Sequence, residues 1–400
     1  MGISQSLFGE CRAALYSHDT MGLGHMRRNL MIAQCLTGAE PHPSILMIAG
    51  AAEIGAFARP KRVDLLSLPS YKKDSDGYSS RSLDLNLGDL VNLRSQTMLA
   101  ALDALEPDLL LIDKVPGGAC GELLPSLVNL RRRGRTKIVL GLRDVLDEPE
   151  AVCSDWERDN CDELIERFFH EIWVYGDPKV YDPVLEYGFP ETTTRKIRYT
   201  GYLDPIAARP TYKKKGPTFD PPYVLCMVGG GQDGAKLAHA FADADYGAGI
   251  QGVIVTGPFM PRADRRHLEA VAKGRDDLTV LKFTETTQLL LDADKVVAMG
   301  GYNSVCEILS ARKDALIVPR VEPRREQIIR AERLRDLGLI DMLEPCALNS
   351  EALGDWLKKP AATRSGEIRL EGNGALPMLM CDLIGRGCAE EPRRGFASGI

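Results

Sequence analysis

The stretch Thr20–Asn29, which reads TMGLGHMRRN, decides the fold class of this 400-residue chain. It follows the apolar run Ala13-Ala14-Leu15-Tyr16, which is typical of a buried strand, and it leads into a helical pattern. Gly22 and Gly24 allow the backbone to turn tightly and to pass close to a ligand. His25 lies at the start of the predicted helix, where unpaired amides favour an anion or a hydroxyl-rich ligand. A plain strand-to-helix turn is the alternative interpretation.

The same order of buried strand and helix recurs along the chain. In the first half we predict strands at Ala13–Ser17, Ser44–Ile48, Leu109–Ile112, Lys137–Gly141 and Glu171–Val174, and helices at Met26–Leu36, Gly88–Leu105, Cys120–Arg132 and Trp156–Phe169. In the second half we predict strands at Tyr223–Val228, Gly252–Thr256, Leu278–Phe283, Lys295–Met299 and Ala315–Val318, and helices at Leu237–Ala244, Arg262–Ala272, Glu285–Leu291, Ser304–Ser310 and Glu326–Leu337. This alternation predicts right-handed α/β units.

One irregular stretch separates the two halves. Leu203–Pro222, LDPIAARPTYKKKGPTFDPP, holds five prolines and three consecutive lysines without periodicity, which predicts a linker. We expect an α/β protein with two Rossmann-like domains facing a cleft: an N-terminal domain over 1–205, a linker over 206–222, a C-terminal domain over 223–385 and a tail over 386–400. The helix near Leu376–Ile384 either closes the second domain or crosses back to the first. Ligands of such sheets bind beyond the carboxyl ends of the strands.

Composition excludes several classes of protein. A formal charge of −6 argues against a dedicated nucleic-acid binder. The 10 cysteines lack zinc-ligand spacing, so we expect no metal site and reduced thiols, as in a cytoplasmic protein. We see no signal-peptide pattern and no apolar run long enough to cross a membrane. Peripheral membrane contact stays open, for example through Arg131-Arg132-Arg133, although that run is also typical of a solvated helix end. The sequence does not indicate an oligomeric state.

A glycine loop opens the second domain. Gly229, Gly230 and Gly231, followed by Gln232, come directly after a predicted strand and lead into a helix. This is the shape of a loop that holds phosphate with backbone amides. The loop lacks the Gly-Lys-Ser/Thr ending of a P-loop and does not fit the dinucleotide fingerprint. A flexible turn is the alternative.

A second glycine turn follows the strand at Lys295–Met299. Gly300 and Gly301 form the turn, and Asn303 or Ser304 is placed to cap the next helix. Glu307 then lies one turn inside that helix, where its carboxylate can accept two hydrogen bonds from a vicinal diol such as a ribose. The alternative is a capping box between Ser304 and Glu307, which the spacing of three also fits.

A charged loop follows the last predicted strand. The stretch Val318–Gln327 places Gln327 near a helix start, where it can hydrogen-bond sugar hydroxyls. Arg320, Arg324 and Arg325 precede it and could face a diphosphate or an acidic acceptor. A solvated, charged helix start is the simpler interpretation of this stretch alone.

Together these motifs resemble the GT-B fold glycosyltransferases of the family 28 type, which include the N-acetylglucosaminyltransferase that completes lipid II in peptidoglycan synthesis. The turn with His25 resembles that family's N-terminal glycine–histidine loop. Gly229–Ala235 resembles its diphosphate loop, Gly300–Glu307 its ribose-binding helix, and Pro319–Gln327 its sugar-reading segment. The resemblance covers most of the chain in order and spacing, and it is strongest over 224–337.

The resemblance implies an inverting transfer from a nucleotide-diphosphate sugar, usually UDP-linked, without a required metal or other cofactor. The first domain would then bind the acceptor and the second the sugar nucleotide. It also implies that Phe283 and Thr284 lie near the nucleotide base, with Arg324 among the donor-binding residues. His25 is the candidate catalytic base, because histidine titrates near neutrality. The alternative is that His25 lines the cleft and helps to orient the acceptor.

The acceptor half departs from that family. The first loop has one fewer glycine before His25, and the segments 68–81, 113–118 and 141–148 match poorly, so lipid II synthesis is not transferred. We name Asp113, Arg143 and Asp144 as candidate acceptor-binding residues, together with Gly22, Gly24 and Arg28. Surface loops with local salt bridges are the alternative for the three strand-end residues. The acceptor could be a glycan, a lipid-linked sugar or a natural product.

Two rival functions stay open at this point. A sugar-nucleotide epimerase of the same fold would need several carboxylates around the sugar, and Asp19, Asp113 and Asp144 are the available candidates. A non-catalytic sugar-nucleotide-binding protein would keep the donor loops and tolerate loss of His25.

Overall fold

The computed structural model describes residues 11–18, 24–50, 59–74, 77–208, 217, 219, 222–282, 284–364 and 366–385. Gly22, Phe283, most of the predicted linker and the whole predicted tail lie outside the described residues. What is described has the α/β architecture that the sequence predicts, with two parallel sheets and helices between successive strands.

Seven parallel strands form the first sheet. Numbered in chain order, they are β1 (Arg12–Ser17), β2 (Ser44–Ala49), β3 (Val63–Ser67), β6 (Leu109–Asp113), β7 (Lys137–Arg143), β8 (Glu171–Tyr175) and β9 (Ile197–Tyr199). Their order is β3-β2-β1-β6-β7-β8-β9, so the chain direction across the sheet reverses between β1 and β6. Residues that follow β1 and β6 therefore become neighbours at the carboxyl edge, where open α/β sheets bind ligands.

Six parallel strands form the second sheet. They are β10 (Tyr223–Met227), β11 (Gln251–Val255), β12 (Leu278–Leu281), β13 (Lys295–Ala298), β14 (Asp314–Ile317) and β15 (Asp341–Met342), in the order β12-β11-β10-β13-β14-β15. Here the reversal falls between β10 and β13. The glycine loops that follow these two strands consequently lie side by side.

Helices cover both sheets. In the first half they are α1 (Gly24–Gly38), α2 (Leu87–Leu105), α3 (Leu124–Arg133), α4 (Pro149–Arg158), α5 (Cys161–Phe168), α6 (Pro183–Tyr187) and α7 (Glu191–Thr194). In the second half they are α8 (Ala235–Ala242), α9 (Arg262–Lys273), α10 (Thr287–Asp292), α11 (Tyr302–Ala311), α12 (Glu326–Asp336), α13 (Ser350–Lys358) and α14 (Gly372–Ile384). Short 3-10 turns lie at Ala119–Gly121 and Pro345–Ala347, and β4 (Tyr71–Asp74) pairs with β5 (Gly77–Ser80) as an antiparallel hairpin.

The structure corrects several predicted elements. The helix predicted over Trp156–Phe169 is two helices, because Asn160 takes a left-handed conformation (φ 48°) between α4 and α5. The helix predicted from Cys120 begins only at Leu124, after a turn with positive φ at Gly118, Cys120 and Gly121. Strands β3, β9 and β15 and the hairpin were not predicted, since they are short or lie at sheet edges and lack a continuous apolar run.

The two halves pack against each other. One hydrophobic cluster contains residues of both sheets, and the rings of Tyr202 and Tyr302 stack across the junction with centroids 6.0 Å apart. Helix α14 crosses back and packs against α1 of the first half. Cys381 in α14 is disulfide-bonded, so the prediction of reduced thiols is wrong there.

Candidate functional site

A histidine and a carboxylate meet at the carboxyl edge of the first sheet. His25 is the second residue of α1, and Asp113 is the last residue of β6. Because β1 and β6 are adjacent in the sheet, the start of α1 lies beside the end of β6. His25 Nδ1 contacts Asp113 Oδ2. The sequence nominated both residues for the cleft, one as the base and one for the acceptor, and the structure joins them in a single unit.

Arg28 fixes the carboxylate of this unit. Its Nη2 donates to Asp113 Oδ1 at 2.5 Å and to Oδ2 at 2.8 Å, and both side chains are 2% exposed. Burial raises the pKa of Asp113, but the charges of Arg28 and His25 outweigh it and hold this pKa well below its usual range. Asp113 is therefore an anion near neutral pH in the folded protein.

The hydrogen-bond geometry decides which nitrogen of His25 carries the proton. Arg28 Nη2 also lies 3.0 Å from His25 Nδ1, but it already donates to both charged oxygens of Asp113. The imidazole therefore donates Nδ1–H to Asp113. This bond orients the ring and would stabilise a proton on Nε2.

The start of α11 faces the start of α1 across the cleft. Asn303 Nδ2 donates to the carbonyl of Gly24 at 3.1 Å, so Gly24 meets the second domain directly. The N-cap of α11 is Gly301, and no side chain caps the helix, which corrects the prediction that Asn303 or Ser304 does so. The first-turn amides of α11 are consequently left for a ligand or water.

Glu307 is buried in this cleft. Its Oε2 accepts a bond from Thr286 Oγ1 at 3.4 Å, and its Oε1 lies 3.5 Å from Arg27 Nη2 of the first domain. Burial raises the pKa of Glu307, and Arg27 offsets part of that effect. Ser304 is the third residue of α11 and not its N-cap, so the alternative of a capping box between Ser304 and Glu307 does not hold. A small cavity of about 20 Å³ lies beside Glu307; its lining includes Arg27, Gly229, Thr284, Thr286, Ser304 and Glu307.

The glycine loop of the second domain has a conformation that side chains would not permit. Gly231 has φ 89°, and a Cβ there would lie 2.0 Å from the carbonyl oxygen of Thr256. Gly229 (φ 61°) and Gly230 are exposed beside it, as is Gln232. Helix α8 then begins after Gly234 without a side-chain cap. The loop and the uncapped helix start together form an environment suited to an anion.

The loop before α12 is held by ion pairs. Gln327 is buried, and its Oε1 accepts a bond from the amide of Arg320 at 3.2 Å. Arg320 bridges Asp233 of the glycine loop and Glu326, each at 2.8 Å. Arg324 instead pairs with Asp147 of the first domain at 3.4 Å, which places it at the domain junction. The backbone carbonyl of Gln327 packs closely against Gly300. A Cβ on residue 300 would lie only 2.8 Å from that carbonyl oxygen.

Asp144 forms a buried salt bridge between the domains. Arg330 Nη2 donates to its Oδ1 at 2.6 Å and Arg330 Nε to its Oδ2 at 2.8 Å, while Tyr202 OH donates to Oδ2 at 2.6 Å. Both charged side chains are fully buried. Because all its contacts join parts of the protein, Asp144 lies in a structural junction, and its predicted acceptor contact has no support in this geometry.

Sequence reasoning missed several residues of this cleft. Arg330 was only one more charge on the predicted helix Glu326–Leu337, and Thr286 lay in the predicted helix Glu285–Leu291 without an assigned role. Lys114 directly follows a predicted strand, which was the available signal. Arg143, which was nominated, ends β7 with its Nε buried and without a hydrogen-bond partner.

Two features are absent from the described residues. They contain no helix long and apolar enough to cross a membrane. In the same ranges, no cluster of three or more His, Cys, Asp or Glu side chains is placed to hold a metal ion.

Comparison with known proteins shows the fold. No family model and no curated protein matches the sequence. Among solved structures, the glycosyltransferase of kitacinnamycin aligns with a TM-score of 0.58 and 13% identity over 94% of both chains. MurG from Acinetobacter baumannii aligns with a TM-score of 0.53 and 14% sequence identity, over 94% of this chain and 98% of its own. A putative UDP-N-acetylglucosamine 2-epimerase from Listeria monocytogenes aligns with a TM-score of 0.60 and 11% sequence identity, over 94% of this chain and 96% of its own. The chain therefore has the GT-B fold, as the sequence predicts.

Proposed function

We propose that this protein transfers a sugar, with inversion, from a nucleotide-diphosphate sugar to a hydroxyl or amine acceptor. The observation that carries the proposal is the His25–Asp113 pair, which sits at the cleft directly opposite the uncapped start of α11. A general base on one domain and an uncapped helix start facing it from the other domain suit attack at a sugar whose leaving group is a diphosphate. Glycosyltransferases among the fold neighbours agree with it.

The donor would bind in the second domain. The amides of Gly229–Gly231 and the first turns of α8 and α11 would face the diphosphate, and Glu307 would accept hydrogen bonds from the ribose. Thr284 would lie near the base and Gln327 near the sugar. Since helix dipoles and amides supply the positive potential, we propose that no metal ion is required. The nucleotide is taken as UDP on the strength of the sequence resemblance.

His25 would activate the acceptor. As the acceptor oxygen bonds to the anomeric carbon, its proton passes to Nε2 of His25, and the bond from that carbon to the diphosphate oxygen breaks with its electron pair. Asp113 would stabilise the imidazolium formed, and Arg28 would hold Asp113 in place. Attack from the face opposite the diphosphate inverts the anomeric configuration.

The epimerase alternative is less well supported. Of the carboxylates it would need, Asp113 is bound by Arg28 and His25, Asp144 is bound by Arg330, and Asp19 lies outside the described residues. An epimerase also needs no acceptor. Incubating UDP-sugars with the protein alone and analysing the recovered sugar nucleotide separates the two functions, because only an epimerase changes the sugar while it remains on the nucleotide.

Donor turnover tests the proposal directly. The wild type is expected to release UDP from at least one of a panel of UDP-sugars, either with a mixture of acceptors or with water alone. His25→Ala is expected to lower it about 10²- to 10⁴-fold, the usual contribution of a general base. His267→Ala, an exposed histidine on α9, is the matched control and should leave the rate unchanged. Equal rates for the two variants would remove the base role of His25, whereas sugar-nucleotide binding without any UDP release from the wild type would support the non-catalytic binding protein instead.

A further inference from the structure

Two cations stand at the carboxyl ends of neighbouring strands in the first domain. Lys114 directly follows Asp113 at the end of β6, and Arg143 ends β7. The two strands are paired, with Asp113 opposite Gly141, and the amide of Lys114 donates to the carbonyl of Gly141 at 2.8 Å. Lys114 also has a left-handed backbone (φ 68°), which turns the chain at this point.

These two cations differ from the other basic residues of the cleft. Arg28 pairs with Asp113, Arg330 with Asp144, and Arg320 with Asp233 and Glu326. Within the described ranges, the side chains of Lys114 and Arg143 form no hydrogen bond and no ion pair, and Arg143 Nε is fully shielded from solvent without a partner. The Nε atoms of Arg28 and Arg320 are also buried without a partner, but the Nη atoms of those two residues are paired with carboxylates. A buried, unsatisfied guanidinium nitrogen is costly, so it indicates a group that is satisfied by a ligand.

The electrostatics of the pair agree with this geometry. Burial and the charges of Arg143 and Arg324 lower the pKa of Lys114 to about 7, although Glu326 and Asp113 act in the opposite direction. Burial and the charge of Arg28 lower the pKa of Arg143 to about 10. In both groups burial is the largest cause of the lowered pKa, and neighbouring cations add to it. Glu326 offsets part of this charge on both groups: its Oε1 is bonded to Arg320, and its Oε2 is buried without a hydrogen-bond partner.

The position of the pair identifies the substrate it would contact. Lys114 adjoins the residue that holds His25, and the charges of Arg324 and Glu326 reach it from the second domain. The pair belongs to the first domain, whereas the groups proposed to hold the donor belong to the second. An anion bound here would therefore be part of the molecule whose hydroxyl faces His25.

We propose that Lys114 and Arg143 form a subsite for a carboxylate or phosphate group carried by the acceptor. That the anion belongs to the acceptor rests on the proposed sugar transfer, whereas the existence of an anion site does not depend on that proposal. The inference narrows the acceptor to an acidic molecule, such as an acidic sugar, a hydroxy acid or a phosphorylated compound. The anionic group would lie close to the hydroxyl that receives the sugar.

Calorimetric titration with simple anions tests the subsite. Inorganic sulfate serves as the probe for a phosphate because it does not titrate near pH 7, and acetate serves as the probe for a carboxylate. Both are titrated with and without saturating UDP, which occupies the donor diphosphate site. The wild type should bind at least one probe in both conditions, and Lys114→Met and Arg143→Gln should each weaken binding about tenfold or more. Lys273→Met and Arg266→Gln, exposed on α9, are the matched controls.

Proton uptake gives a second readout that a purely structural role would not produce. A bound anion raises the pKa of Lys114, so the wild type at pH 7 should take up a fraction of a proton, up to about one half. Titrations in buffers of different ionisation enthalpy measure this uptake. The proton uptake should vanish in Lys114→Met. In the two control variants, Lys273→Met and Arg266→Gln, it should equal that of the wild type. If Lys114→Met does not fold, Lys114→Arg should fold, keep sulfate binding and lose the uptake.

The outcomes separate the two proposals. Normal UDP binding with no sulfate or acetate binding, or with binding that Lys114→Met and Arg143→Gln leave unchanged, would overturn the subsite and leave the sugar-transfer proposal standing. Anion binding that depends on both residues in a protein that binds no nucleotide would support the subsite and remove the sugar-transfer proposal.

Discussion

Two carboxylate–arginine pairs lie after adjacent strands of the first sheet and do different things. Asp113 ends β6 and pairs with Arg28, and Asp144 follows β7 and pairs with Arg330. Both pairs are buried, and in both the arginine holds the carboxylate pKa below its usual value against the effect of burial. The third partner differs: His25 joins Asp113 at the cleft, whereas Tyr202 joins Asp144 inside the domain junction.

The difference shows what makes such a pair chemically useful. Arg28 and Asp113 come from one domain, so they can hold a histidine in place when the cleft changes shape. Arg330 and Asp144 come from opposite domains, so their bond holds the domains together and presents nothing to a ligand. We infer that the same ionic motif serves catalysis in one place and domain packing in the other.

Removing the charge of Asp113 should have the largest effect on activity. Asp113→Asn keeps the size of the side chain but cannot stabilise a protonated His25, so donor turnover should fall about 10²- to 10⁴-fold. The KM for the donor should change little, because the donor is proposed to bind in the other domain. Steady-state UDP release measures both quantities. A fall in donor affinity with an unchanged kcat would contradict the comparison of the two ion pairs, because Asp113 would then contribute to donor binding and not to catalysis.

Removing Arg330 should have the largest effect on stability. Arg330→Met leaves the Asp144 charge buried without its partner, which we expect to cost about 3–5 kcal/mol in the free energy of unfolding. Arg333→Met is the matched control on the same helix: its ion pair with Glu186 is half exposed, so about 0–1 kcal/mol is expected. Urea denaturation measures both. Similar losses for the two variants would show that the Asp144–Arg330 pair is not a special junction.

Neutralising Glu307 should reduce nucleotide affinity by a smaller factor. Glu307→Gln keeps the shape of the side chain but removes a charged acceptor for ribose hydroxyls, and a loss of about tenfold in UDP affinity is expected. Glu269→Gln, exposed on α9, is the control and should bind UDP as the wild type does. Titration calorimetry measures the change. Unchanged affinity in Glu307→Gln would place the ribose elsewhere.

The smallest effect is expected in acid. The folded-state pKa of Asp144 lies below its unfolded value of about 3.9, so the stability it contributes is fully present above about pH 5. That contribution is lost as the pH falls through the range below 4. Asp144→Asn should therefore show a shallower loss of stability between pH 5 and pH 3 than the wild type, in urea denaturation. An identical slope would mean that Asp144 is not the depressed group.

The sequence predicts the strands that matter for the site because they are buried on both faces and read as continuous apolar runs. It predicts the glycine turns for the same reason that the structure needs them, as Gly231 shows. It does not predict β3, whose exposed edge position leaves only a mixed pattern. Nor does it reveal that Asp144 meets Arg330, since 186 residues separate them and neither has a local signature. The sequence predicts His25 and Asp113 as two separate site residues. It does not predict that they contact each other, because that contact depends on β1 and β6 being neighbours in the sheet.

Binding of nucleotides to the purified protein tests the central claim most directly. UDP, GDP, ADP and dTDP, each with and without an attached sugar, should be compared for their effect on the melting temperature of the wild type and of Glu307→Gln. A ligand that binds only the native state raises the apparent stability. The account predicts selective stabilisation of the wild type by one nucleotide, UDP, and a weaker shift in the variant. No shift with any nucleotide, at concentrations well above a plausible dissociation constant, would contradict a sugar-nucleotide site in this cleft.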